Sequence, residues 1–255
     1  MLTNIQIQDI TNQRILISDL TDEDLLEFCK FANQRYRDGS PIISDEDYDF
    51  IYALELSKRL PDHPFLQKVE DENVGFSEEK IKLPEKMLST DKAYSWEEVN
   101  KWLERIRKFS EEIDFSLDNI QIKGTAKLDG FAGFDDGNKL YTRGDGNKGS
   151  DITRVFERGL GTFNNSQRGQ GPGEIVVKRS YFEKHLSGHF EYPRNFQASL
   201  IKEKELDQFA KDAIANEAAL FVPFSQLPFW AGSISEFTNN FNSIVSDLES
   251  GVDFD

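Results

Sequence analysis

The sequence predicts an α+β fold: a small helical unit over residues 1–75, followed by a mixed unit of strands and helices over residues 76–255. Three observations carry this expectation. From Thr21 to Pro61, capped segments place apolar residues at helical spacing. After residue 115, short strand-like runs alternate with turn signals. No internal repeat or low-complexity tract interrupts the chain.

The elements follow in order. Thr21 with Asp24 reads as a capping box, with Leu20 and Leu25 as its hydrophobic staple. Leu25, Phe28, Cys29, Ala32 and Tyr36 then mark one helix, which Asp38-Gly39-Ser40-Pro41 ends. Ser44 with Asp47 caps a second helix, striped by Tyr48, Ile51, Tyr52 and Leu56 and closed by Pro61. Ser95 with Glu98 caps a third, with Trp96, Val99, Trp102, Leu103 and Ile106 on its apolar side. Strands are expected at 121–127, 131–134 and 139–143, with Asp135-Asp136-Gly137-Asn138 as a hairpin turn. A Gly/Pro-rich loop is expected over 167–173 and a strand over 174–178. A helix over 198–215, a strand over 218–224 and a helix over 234–248 complete the expectation.

Composition narrows the function classes. The chain has 255 residues, 38% of them hydrophobic and 21 of them Phe, which argues for a folded core despite 30% charged residues. A net charge of −16 excludes a surface that binds nucleic acid everywhere but leaves room for a local basic groove. One cysteine, Cys29, excludes an internal disulfide and a Cys-based zinc site. His185 and His189 stand four apart without an HExxH context and read as exposed helix-end residues. The N-terminus has no signal-peptide pattern, and no apolar run approaches the ~18 residues that span a membrane. The chain therefore reads as soluble and cytoplasmic, with no membrane partner.

Two segments carry chemistry. Lys127-Leu128-Asp129-Gly130 lies at an expected strand end. A lysine amine is a nucleophile only when deprotonated, and burial or a nearby cation lowers its pKa. A lysine buried there against a nucleotide could attack phosphorus. Asp129, two residues on, points to the same side of a strand, where it could orient the ammonium or hold a metal. Alone, K-x-D-G is a weak pattern, and a surface lysine before a turn is the better explanation of it. The second segment, Thr142 to Thr153, opens with Arg143 and has three glycines in eight residues. Such a loop exposes backbone N–H groups and admits a polar ligand closely, and Arg143 offers a fork of donors to phosphate or ribose. A flexible turn with solvated charges is the plainer alternative.

Together these residues resemble the adenylation core of NAD⁺-dependent DNA ligases. That family's K-x-D-G is followed about fifteen residues on by T-R-G-D-G-x-x-G-E-D-V/I-T, and Lys127–Gly130 and Thr142–Thr153 reproduce both with one mismatch. Gly173-Glu174 resembles its G-E strand motif, and Tyr192-Pro193-Arg194-Asn195 its A-N-P-R-N stretch. Upstream, Pro41 to Asp49 resembles P-x-I-S-D-A-E-Y-D of the helical domain unique to the NAD⁺-dependent class. Met87-Leu88-Ser89-Thr90 resembles its M-L-S-L. Six segments match in the family's order over about residues 20 to 255.

The resemblance implies an incomplete nucleotidyltransferase (adenylation) domain with mixed, largely antiparallel sheets, behind a nicotinamide-mononucleotide-binding helical domain. It implies Lys127 and Asp129 as catalytic residues and attack of Lys127 on the α-phosphorus of NAD⁺, with Mg²⁺ neutralising phosphate charge. Glu174 would accept from the adenosine ribose, and Arg143 and Arg194 would hold the nucleotide. The run Asp45-Glu46-Asp47-Tyr48-Asp49 reads either as a dipole-favoured helix start or as the nicotinamide-mononucleotide site, and both can hold. Ser89 and Thr90 join the cofactor-binding set.

The departures are specific. Thr125 stands where the family has the Glu that recognises adenine. Tyr36, between Arg35 and Arg37, occupies the region of a family Tyr-His pair. Ser199-Leu200-Ile201-Lys202 replaces S-L-R, Ser150 replaces Glu, and Thr90 replaces Leu. The family's next strand follows the region resembling Val252–Asp255, so an unpaired sheet edge is expected there. A second ligase subunit is expected to supply the missing strands, and nicked DNA is the expected substrate of the complete enzyme. A regulatory, inactive ligase-like module and a nucleotidyltransferase acting on RNA ends stay open as alternatives.

Overall fold

The structure, a computed structural model, describes residues 2–67, 80–88 and 92–254. It opens with a helix absent from the expectations, α1 (Asn4–Thr11), started by a capping box between Thr3 and Gln6. α2 (Asp22–Arg37) begins as expected: the Thr21 hydroxyl accepts from the Asp24 N–H and donates to the Asp24 carboxylate at 2.7 Å. At Gly39 the chain turns with φ +67°, and a Cβ there would stand 2.3 Å from the Cβ of Ala198. A side chain larger than hydrogen at residue 39 would therefore push the helical unit off the rest of the molecule.

Ser44 caps α3 (Asp45–Asp47) by accepting from the Asp47 N–H. The helix continues through a π-helical turn (Tyr48–Ala53) into α4 (Leu54–Arg59), and a short α5 (Pro64–Gln67) follows. The wider turn corrects the expected stripe. It rotates Ile51 outward, 37% exposed, and brings Ala53 inward beside Tyr52 and Leu56. Ile10, Leu25, Phe28, Cys29, Tyr52 and Leu56 form the core of this unit, with the Phe28 and Tyr52 rings 4.6 Å apart.

The second unit holds β1 (Ile81–Lys82), α6 (Trp96–Glu112), β2 (Gln121–Thr125), β3 (Phe131–Asp135), β4 (Leu140–Thr142), β5 (Lys148–Gly149) and α7 (Arg154–Glu157). Next come β6 (Gly161–Thr162), β7 (Gly171–Val177), α8 (Arg179–Tyr181), α9 (Pro193–Lys202), α10 (Gln208–Ala215), β8 (Ala219–Pro223), β9 (Phe229–Ser233) and α11 (Ile234–Ser250). Five strands form one sheet in the order β4-β3-β7-β8-β6, antiparallel except for the β6–β8 pair. Phe131, Ile175, Phe196, Ile201 and Phe221 fill the core between that sheet and α9–α10.

Three expectations are corrected here. The expected 198–215 helix is two helices: Glu203 leaves helical geometry, and Asp207 starts α10 by accepting from the Ala210 N–H. Three of the seven residues of the expected 167–173 loop are strand, and Pro172 is tolerated there because it sits before the β8 ladder begins and pairs only with Phe134. β9 was not foreseen, and it pairs with β2 as a ribbon that packs on α6 and α11 through Leu103, Ile122 and Ile234.

The outer edges of the β2–β9 ribbon carry no further strand among the described residues. Val252 to Phe254, by contrast, is tied down. Phe254 bridges Lys178 and is 3% exposed, and Arg179 N–H donates to the Asp253 carbonyl at 3.0 Å. The exposed histidines stack on aromatic rings, His185 on Tyr181 and His189 on Phe209. Among the described residues no helix is long and apolar enough to cross a membrane.

Candidate functional site

A cavity of about 880 Å³ lies between the helical unit and the sheet unit. Ala32, Tyr36 and Arg37 of α2, then Asp45, Tyr48 and Asp49, line one side. Residues 123–128 and Gly130, with Ala132, Arg143 and Glu174, line the other.

Lys127 stands on this wall. β2 ends at Thr125, two residues earlier, so Lys127–Gly130 is an open connection between β2 and β3 rather than a strand end. Leu128 anchors it, 4% exposed, while its neighbours face the other way. Lys127 is an exposed residue that faces the cavity. Gly130 closes the connection against β7: a Cβ there would stand 2.2 Å from the Ile175 carbonyl oxygen. Its N–H donates to Glu174 Oε1 at 3.2 Å, so one of the two Glu174 oxygens already has a partner.

Asp129 is reached from both units. The Tyr36 hydroxyl donates to Asp129 Oδ1 at 2.6 Å, and Arg194 Nη1 lies 3.8 Å from the same oxygen. Burial, opposed by Arg194 and reinforced by Asp129, pushes the Tyr36 hydroxyl well above its usual value, so it stays a donor. Arg194 lines the cavity and is at the same time packed into the protein. It is 2% exposed, with its guanidinium carbon 3.7 Å from the Tyr36 ring and 4.1 Å from the Phe131 ring. Its Nε donates to the Tyr36 carbonyl at 3.1 Å, and its Nη1 donates to the Gly130 carbonyl.

The acidic run divides. Asp45, Tyr48 and Asp49 line the cavity, whereas exposed Glu46 and half-buried Asp47 do not. Burial and the Asp129 charge raise the Asp45 carboxyl to about 7, with Arg194 and Lys127 opposing. Burial also pushes the Tyr48 hydroxyl far upward. Asp49 pairs with Lys92. Thr125, exposed at the end of β2, pairs with Phe229 and lines the cavity. Ser89 and Thr90 lie outside the described residues.

The glycine-rich loop packs closely on a neighbouring stretch of chain. A Cβ on Gly146, at φ +86°, would stand 2.6 Å from the Met87 carbonyl oxygen, and the Met87 N–H donates to the Gly146 carbonyl at 2.9 Å. Its glycine thus admits another stretch of chain, and that stretch brings Lys86, Met87 and Leu88 to the cavity. Arg143, at the loop's head, lines the cavity while its N–H donates to the Ala132 carbonyl at 2.9 Å.

Several lining residues escaped the sequence reading: Arg37, Lys86, Lys92 and Lys123 join Lys127, Arg143 and Arg194. The described lining thus holds seven cations against three carboxylates, Asp45, Asp49 and Glu174. In a chain of net charge −16 this is a local reversal of sign. The cations are scattered from residue 37 to residue 194, so no run of sequence announces them.

The family model for the NAD-dependent DNA ligase adenylation domain matches residues 76–212, a span that contains Lys127, Asp129, Arg143, Glu174 and Arg194. The chain belongs to the NAD-dependent DNA ligase family. A DNA ligase of Vesicomyosocius okutanii is 58% identical over 255 residues, covering 100% of this chain and 40% of the relative. A DNA ligase of Shewanella baltica is 46% identical over 239 residues, covering 94% of this chain and 37% of the relative. This ligase-family chain therefore spans about 40% of the length of the relatives it matches. The acidic run at 45–49 precedes the matched domain but lies within the span shared with the Vesicomyosocius enzyme.

Proposed function

We propose that this chain performs the first step of NAD⁺-dependent DNA ligation, transfer of AMP from NAD⁺ to Lys127. The observation that carries the reading is the single cavity. The nicotinamide-side candidates (Asp45, Tyr48, Asp49) and the adenylate-side candidates (Arg143, Glu174) line it together with Lys127, whose charge partly opposes the rise in the Asp45 pKa. A dinucleotide has two nucleoside ends and a pyrophosphate between them, which suits this arrangement. In these terms residues 1–75 are the nicotinamide-mononucleotide-binding domain and 76–255 the adenylation domain.

In the step, Lys127 Nζ loses a proton and forms a bond to the α-phosphorus. The bond from that phosphorus to the bridging oxygen breaks, and nicotinamide mononucleotide leaves with the electron pair. Lys127 would then carry AMP as a phosphoramidate. The cavity's cations supply charge stabilisation for the phosphates, and fixed positioning supplies the rest. Mg²⁺ needs only one or two carboxylates when phosphate oxygens complete its shell, and Asp129 would offer one. The ion would neutralise phosphate charge there. Glu174 lines the cavity as an acceptor-only carboxylate that suits a ribose hydroxyl, and Asp45 and Asp49 suit the cationic nicotinamide end.

Sealing of nicked DNA requires chain beyond these residues. A second polypeptide that pairs with the open β2–β9 ribbon is one way to supply it, and co-expression with a complementing ligase segment tests that. Incubation with adenine-labelled NAD⁺ or ATP and Mg²⁺ tests the step itself. Label from NAD⁺ only, absent in Lys127→Ala, supports the reading. Label from ATP favours a nucleotidyltransferase with another acceptor. No label under any condition, with or without the complementing segment, favours a regulatory module.

A further inference from the structure

We propose that Gln197, Arg194 and Tyr36 are positioning residues for the Lys127 connection, and that docking of the helical unit completes their grip. This rests on Lys127 being the nucleophile. The connection between β2 and β3 has no strand partner of its own, so its backbone groups must be held by something else. α9 supplies the hold. Arg194 and Gln197 are three residues apart on that helix, hence on one face, and are 2% and 1% exposed.

They take two consecutive carbonyls. Gln197 Nε2 donates to the Asp129 carbonyl at 3.1 Å, and Arg194 Nη1 donates to the Gly130 carbonyl. From the opposite side, Glu174 accepts the Gly130 N–H. Gln197 is an unusual choice for a helix face packed on a core. Its Oε1 has no hydrogen-bond partner among the described residues. A buried, unsatisfied acceptor is destabilising, and an aliphatic side chain would avoid it. The amide makes sense at this position as a donor to the loop that carries Lys127.

The helical unit enters through Tyr36, which makes three separate contacts here. Its ring covers one face of the Arg194 guanidinium, its carbonyl accepts from Arg194 Nε, and its hydroxyl donates to the Asp129 carboxylate. Removing the helical unit would strip Arg194 of a ring and an acceptor, and Asp129 of a donor. The residues flanking the nucleophile would then be held from α9 and β7 alone. The nucleophile is thereby set most firmly when the unit that lines the nicotinamide side is in place.

Two variants separate this from a merely structural role. Gln197→Leu removes the donor to the Asp129 carbonyl, and Tyr36→Phe removes only the hydroxyl, leaving the ring on Arg194. Amide hydrogen exchange of the nucleotide-free full chain should quicken by about tenfold in peptides over 126–131, with β8 peptides over 219–223 unchanged. Single-turnover transfer of AMP from saturating NAD⁺ to Lys127 should slow by about tenfold or more, with the dissociation constant for NAD⁺ held within about twofold. Unchanged exchange over 126–131 in both variants overturns the grip. Quickened exchange with a wild-type transfer rate, or a rate loss matched by lost affinity, overturns the positioning role. If the unaltered chain takes no label, the nucleophile reading fails instead, and exchange alone then decides whether the grip exists.

Discussion

Asp45 and Asp129 belong to different units and are both half-buried, yet the charge on Asp129 helps to hold the Asp45 carboxyl protonated to about pH 7. In the unfolded chain Asp45 ionises near its ordinary 3.8. Between these values the folded protein keeps a proton that the unfolded chain has shed. Its contribution to stability is full below the unfolded value and is lost as pH rises through about 7. Asp45→Asn cannot ionise. The variant should therefore melt above the unaltered protein at pH 8, and the gap should close near pH 4. Thermal midpoints across that range decide it, and a gap independent of pH would count against the buried-carboxyl account.

The same pair predicts how ligand binding responds to pH. A cationic nicotinamide ring beside Asp45 favours the ionised carboxylate, so binding should release a proton and NAD⁺ affinity should rise from pH 6 to pH 8. Calorimetric titration in two buffers of different ionisation enthalpy measures that proton directly. Proton uptake, or none, would place the cationic end elsewhere.

The cation-lined cavity makes a further claim. Seven cations line the cavity proposed for a ligand whose pyrophosphate carries two negative charges, and salt screens such attraction over about 8 Å at physiological ionic strength. NAD⁺ affinity should weaken as salt rises from 50 to 300 mM, on the order of threefold or more. Lys123 stands 4.5 Å from the Phe229 ring on the rim of this wall. Lys123→Ala should weaken binding by roughly the two- to fivefold expected for one exposed charge, and the salt dependence should become shallower. Equal slopes for both proteins would remove Lys123 from the binding field.

What the sequence made legible was what neighbouring residues decide. Thr21, Ser44 and Ser95 each cap a helix through the N–H three residues on, so the signal and the structure occupy the same few positions. The turn at Gly137, with φ +94°, is equally local. The site was legible in its motifs and illegible in its geometry. The motif around Arg194 does not announce its contacts with Tyr36 and Phe131, which lie 158 and 63 positions away in sequence. The break at Glu203 was hidden because Lys202-Glu203-Lys204-Glu205 are good helix formers with no Gly or Pro among them. β9 was hidden because its partner, β2, lies more than a hundred residues upstream.

Asp135 tests the sheet unit apart from the site. It is 1% exposed and ends β3, where its carboxylate accepts from Arg168 Nη2 at 2.7 Å and from the N–H groups of Gly137 and Gly169. It therefore joins the hairpin turn to the loop before β7. Asp135→Ala would leave Arg168 and two amides without their acceptor. Breaking one partner of a buried ion pair typically costs about 3–5 kcal/mol. Arg168 is 30% exposed and can turn toward water, so about 2–3 kcal/mol is the expected loss. Urea unfolding should show a lower midpoint with an unchanged slope. A loss below about 0.5 kcal/mol would mean that the ion pair is no more than a surface contact.

Gly130 gives a prediction in which stability and chemistry must move together. A methyl group there meets the Ile175 carbonyl at 2.2 Å and the Val176 side chain at 2.8 Å. A carbonyl in the ladder between β3 and β7 cannot give way as a side-chain tip can, so the connection itself must shift. Gly130→Ala should cost about 1–3 kcal/mol, the usual range for overpacking a filled site. The displaced stretch is the one that carries Lys127 and Asp129, and a misplacement of about 1 Å near reacting atoms can lower a rate on the order of a hundredfold. Transfer of AMP to Lys127 should therefore fall far more than the folded fraction does at 25 °C. Gly188→Ala is the control, because nothing lies within 4 Å of the added methyl. It should leave both measurements where they were. If Gly130→Ala unfolds the protein slightly but adenylates at the normal rate per folded molecule, the close packing of β7 against the connection has no part in placing the nucleophile.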